Sequence, residues 1–132
     1  MAKVRAQGTA ALLPDLAAKM LAPAAAPSLR MRAERLIGSC RPEAVIAGLT
    51  AMAARPDRGF LLAAFPRPWL VLHGTADQLV PVAEAAQPAR SDVPATRRIL
   101  DGVGHVPMWE APADTAKAIA SWARASHGLP TP

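Results

Sequence analysis

Two short loops hold the residues best suited to chemistry. One runs His73-Gly74-Thr75-Ala76-Asp77 after an apolar run, and the other runs Asp101-Gly102-Val103-Gly104-His105 after a second β-like stretch. A carboxylate beside a histidine accepts the Nδ1 proton and fixes the ring tautomer. It also stabilises the imidazolium formed when the other ring nitrogen takes a proton. That is the acid–base half of catalysis by an activated nucleophile. A lone Asp after a strand is usually a turn former or helix cap, and a lone His is more often structural. Two matching loops make an Asp–His pair across them less ordinary than either residue alone.

Such a pair works only if the backbone brings the loops together. Trp69-Leu70-Val71-Leu72 is a short unbroken apolar run, the pattern of a parallel strand covered on both faces. Thr96 to Leu100 reads as a second strand, with Arg97 and Arg98 placing it near a sheet edge. Val82 to Ala89 is a helical candidate between them, and the 78–95 connection is long enough for the crossover that parallel pairing needs. A last helix starts at Pro112, with Ala116, Ile119, Ala120 and Ala123 on one face, Trp122 alongside, and a frayed tail from Gly128. Strand, helix, strand, helix is an α/β layer, and both candidate loops leave the carboxyl ends of adjacent strands about 4.8 Å apart.

The first sixty residues show helical spacing and no strand signal. Leu13, Leu16 or Ala17, and Met20 form one stripe from Pro14 onward. Ser28 is the expected N-cap of a helix with an apolar face of Leu29, Ala33, Leu36 and Ile37, ended by Gly38. Pro42 and Glu43 open a third helix, striped by Val45, Leu49 and Met52, which stops before Arg55-Pro56. The expected division is therefore a helical segment over 1–60 and an α/β segment over 61–132.

Composition narrows the function classes. Apolar residues make up 52% of the 132, enough for a buried core, although alanine supplies much of that share. The net charge of +5 lies in residues 1–60, with nine Lys/Arg against four Asp/Glu, while 61–132 hold six of each. Those arginines are dispersed and lack interleaved aromatics for stacking bases, so a solvated basic surface is expected and no nucleic-acid partner. Pro14, Asp15 and Lys19 interrupt the signal-like start, and no run approaches the roughly 18 apolar residues of a membrane span. With one cysteine, Cys40, no intrachain disulfide can form, so a cytoplasmic protein with no membrane partner is expected.

The stretch Pro68 to Pro81 (PWLVLHGTADQLVP), followed by Leu100 to Pro112 (LDGVGHVPMWEAP), resembles the C-terminal signature of the α/β-hydrolase superfamily. In that pattern a strand leads to Gly and Asp shortly before Pro. A helix and strand follow, then Gly-His, then Glu-x-Pro opening the last helix. More loosely, the first sixty residues resemble the helical cap of enol-lactonase-like esterases, with Ala51 to Asp57 the nearest piece. The resemblance implies the C-terminal part of an α/β-hydrolase sheet, two parallel strands with flanking helices, preceded by a cap-like segment. It further implies that Asp77 is the triad acid and His105 the base, with an ester or lactone as small-molecule substrate and no metal or organic cofactor. Glu110 is expected to fix the start of the last helix. His73-Gly74 is expected to be strand-end packing, and Met108 and Trp109 to face either the pocket or the packing.

A triad also needs a nucleophile on a G-x-S-x-G elbow. None of Ser28, Ser39, Ser91, Ser121 and Ser126 has glycines on both sides at that spacing, and Cys40 has a glycine on one side only. Cys40 is expected to be a buried structural thiol. The leading expectation is a C-terminal fragment of an α/β-hydrolase, inactive alone. The alternative is a non-catalytic α/β interaction module, or the partner-dependent half of a split hydrolase that pairs with the missing N-terminal half. Either way the sheet should have an open edge, and the isolated chain should be weakly stable or associate. A sharp cooperative melt of a monodisperse monomer would contradict this expectation.

Overall fold

A computed structural model describes residues 2–85 and 95–127. The helical part comes first: α1 (Ala2–Gln7), a 3-10 turn (Thr9–Leu12), a π-type turn (Leu13–Ala17), α2 (Ala18–Met20), α3 (Pro27–Ser39), α4 (Pro42–Ala54) and α5 (Gly59–Ala64). The α/β part follows as β1 (Trp69–Gly74), α6 (Val82–Ala85), β2 (Ala95–Leu100), α7 (Pro107–Glu110) and α8 (Pro112–His127). Residues 86–89 of the expected helix, Ser91 and the tail from Gly128 lie outside the described residues.

β1 and β2 pair in parallel, in register from Trp69 opposite Ala95 to Gly74 opposite Leu100. Among the described residues the sheet has two strands, so each keeps one unpaired edge. The apolar run Trp69–Leu72 is only half-buried. Its sequence suits two covering layers, and the described residues supply less than that.

The core lies between the helical part and the loop after β2. Ala17, Leu21, Ala33, Ile37 and Val106 are buried together, with Leu16, Met20, Leu29 and Trp109 packed around them. The Arg32 guanidinium stacks on Trp109, 4.2 Å from the ring centre, so Trp109 serves packing, whereas Met108 is exposed.

Several helix expectations need correction. The stripe from Leu13 to Met20 is not one regular helix, because Pro14 lacks an N–H and the ladder there widens into a π turn before α2. Ser28 is not the N-cap of α3. Pro27 occupies the first turn with its backbone already set for a helix, Ala26 holds the cap position, and no side chain caps it. Leu36 is exposed although Ala33 and Ile37 are buried. The stripe on α4 is only partly buried: Val45 and Leu49 are half-buried and Met52 is 69% exposed. On α8 the buried positions are Thr115 and Ala118, with Trp122 half-buried, whereas Ala116 and Ile119 face out. Alanine lines both faces of that helix, so apolar spacing could not tell which one meets the sheet. Cys40 is exposed at the end of α3, with its thiol against the Leu36 carbonyl, not buried. The short helices α1, α5 and α7 were not anticipated; they are too short for a periodic signal.

Glu110 does a different job from the expected one. Its carboxylate does not open α8 but accepts three backbone N–H groups. Ala22 donates at 2.7 Å to Oε2, while Gly104 at 3.1 Å and Val106 at 3.4 Å donate to Oε1. The His105 N–H donates to the Met20 carbonyl at 3.2 Å, and Gln78 Nε2 donates to the Leu21 carbonyl at 3.1 Å. Both candidate loops thus grip the Met20–Ala22 segment.

Among the described residues, no helix is long and apolar enough to cross a membrane. Glu110→Ala leaves three N–H groups without their acceptor and is expected to lower unfolding free energy by about 3 kcal/mol. Glu110→Gln, which keeps one acceptor oxygen, should lower it less; urea unfolding of the three proteins measures both.

Candidate active site

The acid loop is shaped by contact with the base loop. The Thr75 N–H donates to the Leu100 carbonyl and the Ala76 N–H to the Val103 carbonyl, both at 2.9 Å. Thr75 Oγ1 donates to Asp101 Oδ1 at 3.0 Å and accepts the Gly102 N–H at 2.8 Å. These bonds continue the strand pairing past the ends of β1 and β2.

Two glycines are required by close approach. A Cβ on Gly74 would run into the Val103 carbonyl, and one on Gly104 would meet the backbone at Leu21 and Ala22. Gly102 instead adopts a φ of 68°, the left-handed turn that aims the chain back toward β1.

Asp77 sits at the turn after β1 with its side chain 4% exposed. Oδ1 accepts the N–H groups of Leu79 at 2.8 Å and Val80 at 3.0 Å, which clamps the carboxylate from its own loop. Oδ2 lies 2.8 Å from His105 Nδ1. The two residues singled out from sequence, 28 positions apart, are therefore in hydrogen-bond contact. The His105 side chain is 41% exposed, and no hydrogen bond reaches its Nε2 among the described residues.

Burial alone would push the Asp77 carboxyl upward. The Val80 N–H, the His105 ring and the Leu79 N–H, together with the His105 charge, outweigh burial and hold it below the ordinary carboxylate range. Leu72, His73, Gly74, Val80, Gly104 and Pro107 join the pair in lining a cavity of about 130 Å³. His73, expected to be strand-end packing, enters this site. Its Nε2 stands 3.4 Å from Asp77 Oδ2. A signal was present in the sequence, since His73 lies four residues before Asp77 across a tight turn. Gln78, which ties this loop to Leu21, carried none.

Ser39 Oγ donates to the Leu36 carbonyl at 2.8 Å and Cys40 ends the same helix, so both serve the end of α3. Among the described residues no group of three or more His, Cys, Asp or Glu is placed to hold a metal ion.

No family model and no curated protein matches the sequence. Solved structures do match. A thermophilic esterase from Thermogutta terrifontis is 27% identical with a TM-score of 0.85, over 96% of this chain and 47% of that one. A bromoperoxidase from Bacillus anthracis is 17% identical with a TM-score of 0.73, over 92% and 46%. A serine hydrolase involved in carbazole degradation is 19% identical with a TM-score of 0.62, over 83% and 45%. The chain spans about half the length of the structures it matches.

The folded state favours ionised Asp77, so its contribution to stability is complete above about pH 4, the unfolded aspartate value, and is lost as pH falls through the lower folded value. Asp77→Asn is expected to cost on the order of 2 kcal/mol at pH 7, with the gap to wild type closing toward pH 2. Thermal melts across that range follow it. This chain has the α/β-hydrolase fold and corresponds to the C-terminal part of it.

Proposed function

We propose that this chain contributes the acid and base of a serine-type hydrolase acting on a carboxylic ester or lactone. The observation that carries this reading is the 2.8 Å contact between Asp77 Oδ2 and His105 Nδ1, with Oδ1 clamped by two backbone N–H groups. His105 then holds a proton at Nδ1 for Asp77, and its Nε2 is free to take the proton of a nucleophile's hydroxyl. Asp77 remains ionised and steadies the imidazolium until Nε2 returns the proton to the leaving group.

None of the chain's serines stands in a G-x-S-x-G elbow. We therefore assign the nucleophile and the oxyanion donors to the rest of the α/β-hydrolase fold, pairing at the open edge of the sheet. Residues 1–60 are read as a cap-like segment beside the substrate, and residues 61–132 as the core segment that carries the pair. The esterase among the structural neighbours supports the substrate class.

A second reading, a non-catalytic interaction module, draws on the exposed apolar side chains. Met52, Phe60 and Phe65 before β1, and Ile99 on β2, are 69%, 68%, 45% and 43% exposed. Exposed apolar side chains of this size suit a partner's surface whether or not chemistry follows.

The nucleotide sequence upstream of the Met1 codon, read in all three frames, is expected to encode strands and a G-x-S-x-G elbow. The restored protein is expected to hydrolyse p-nitrophenyl acetate or a simple lactone. Asp77→Asn or His105→Ala should then lower kcat by about 10⁴-fold. Unrelated upstream sequence, or hydrolysis indifferent to both substitutions, would move the interaction module to first place.

A further inference from the structure

His73 is a largely covered titratable side chain that the acid–base reading leaves unused. It is 11% exposed and lines the same cavity as Asp77 and His105. Its Nδ1 lies 2.9 Å from the Gly74 carbonyl oxygen. Its Nε2 is shut off from solvent and makes no formal hydrogen bond, yet stands 3.4 Å from Asp77 Oδ2.

Both facing oxygens can only accept, because neither a carbonyl nor an ionised carboxylate carries a proton. A bare nitrogen on either side of the ring would set lone pair against lone pair. A proton on Nδ1 meets the Gly74 carbonyl oxygen, and a proton on Nε2 would face Asp77 Oδ2 across 3.4 Å.

The carboxylate has room for this. Oδ1 is taken by the Leu79 and Val80 N–H groups, while Oδ2 takes His105 Nδ1 and keeps a further lone pair. His73 also sits on β1, where pairing opposite Ile99 fixes its backbone, so its ring approaches Asp77 from the sheet and not from a loop. The titratable groups that share the cavity with His73 are Asp77 and His105.

Resting on the reading of Asp77 and His105 as acid and base, we propose that His73 is a positioning residue for the acid, presenting an Nε2–H to Asp77 Oδ2 and holding that oxygen on His105 Nδ1. It touches neither the nucleophile nor the leaving group. Its effect passes through Asp77, which is held between two rings and cannot swing away when His105 gains its second proton.

Ring-nitrogen NMR of the full wild-type chain at pH 7 is the first test. A proton on His73 Nε2 is expected, and a bare Nε2 overturns the proposal. The second test follows the Asp77 carboxyl carbon through a pH titration. His73→Phe is expected to raise its midpoint by on the order of one pH unit and to broaden the downfield His105 Nδ1 proton resonance. His73→Gln, which restores an N–H donor at similar reach, should recover both in part. A folded His73→Phe protein with an unmoved midpoint overturns the proposal, as does a loss of thermal stability in both variants without any change at Asp77. Should His73→Phe fail to fold, the wild-type nitrogen spectrum decides. No hydrolysis assay enters, so failure of the ester-hydrolase reading remains distinguishable from failure of this one.

Discussion

Three backbone N–H groups converge on the carboxylate of Glu110, and most of the arrangement follows from that. Gly104 and Val106 belong to the loop that carries His105, and Ala22 belongs to the helical part more than eighty residues earlier. A carboxylate with two oxygens can accept several such bonds at once, and charge-assisted bonds are the stronger kind. One side chain thereby fixes the base loop and docks the helical part on it. Val106, held by the same carboxylate, then places its side chain in the core with Leu21 and Ile37.

That docking explains why small residues sit where they do. Gly104 passes so close to Leu21 and Ala22 that no Cβ fits, and Gly74 passes equally close to Val103. The acid and base loops are therefore pressed together by packing from behind and joined by bonds through Thr75 in front. Asp77 is clamped within its own turn, so the 2.8 Å contact with His105 joins two positioned groups and does not depend on a mobile side chain finding its partner.

Other surfaces are organised differently. Among the described residues β1 has a strand neighbour on one edge, its apolar residues are half-buried, and no residue of the α4 stripe is fully buried. These surfaces read in sequence as interior, and among the described residues they are only partly covered.

Local sequence determined the parallel α/β pair, the ends of β1 and β2 to within two residues, the span of α4, and the candidacy of Asp77 and His105. Each of these rests on short-range signals: unbroken apolar runs, Pro at helix starts, and Gly-flanked polar residues at strand ends. Tertiary structure decided what depends on meeting partners. Which face of α8 is buried, the exposure of Cys40 and Leu36, and the role of Glu110 all turned on contacts with distant segments. The physical reason is the same throughout. A side chain's type fixes what bonds it can make, but the free energy of making them depends on which distant groups are brought within about 3 Å. Glu110 could have started a helix on its own sequence; Ala22, Gly104 and Val106 gave it three donors instead.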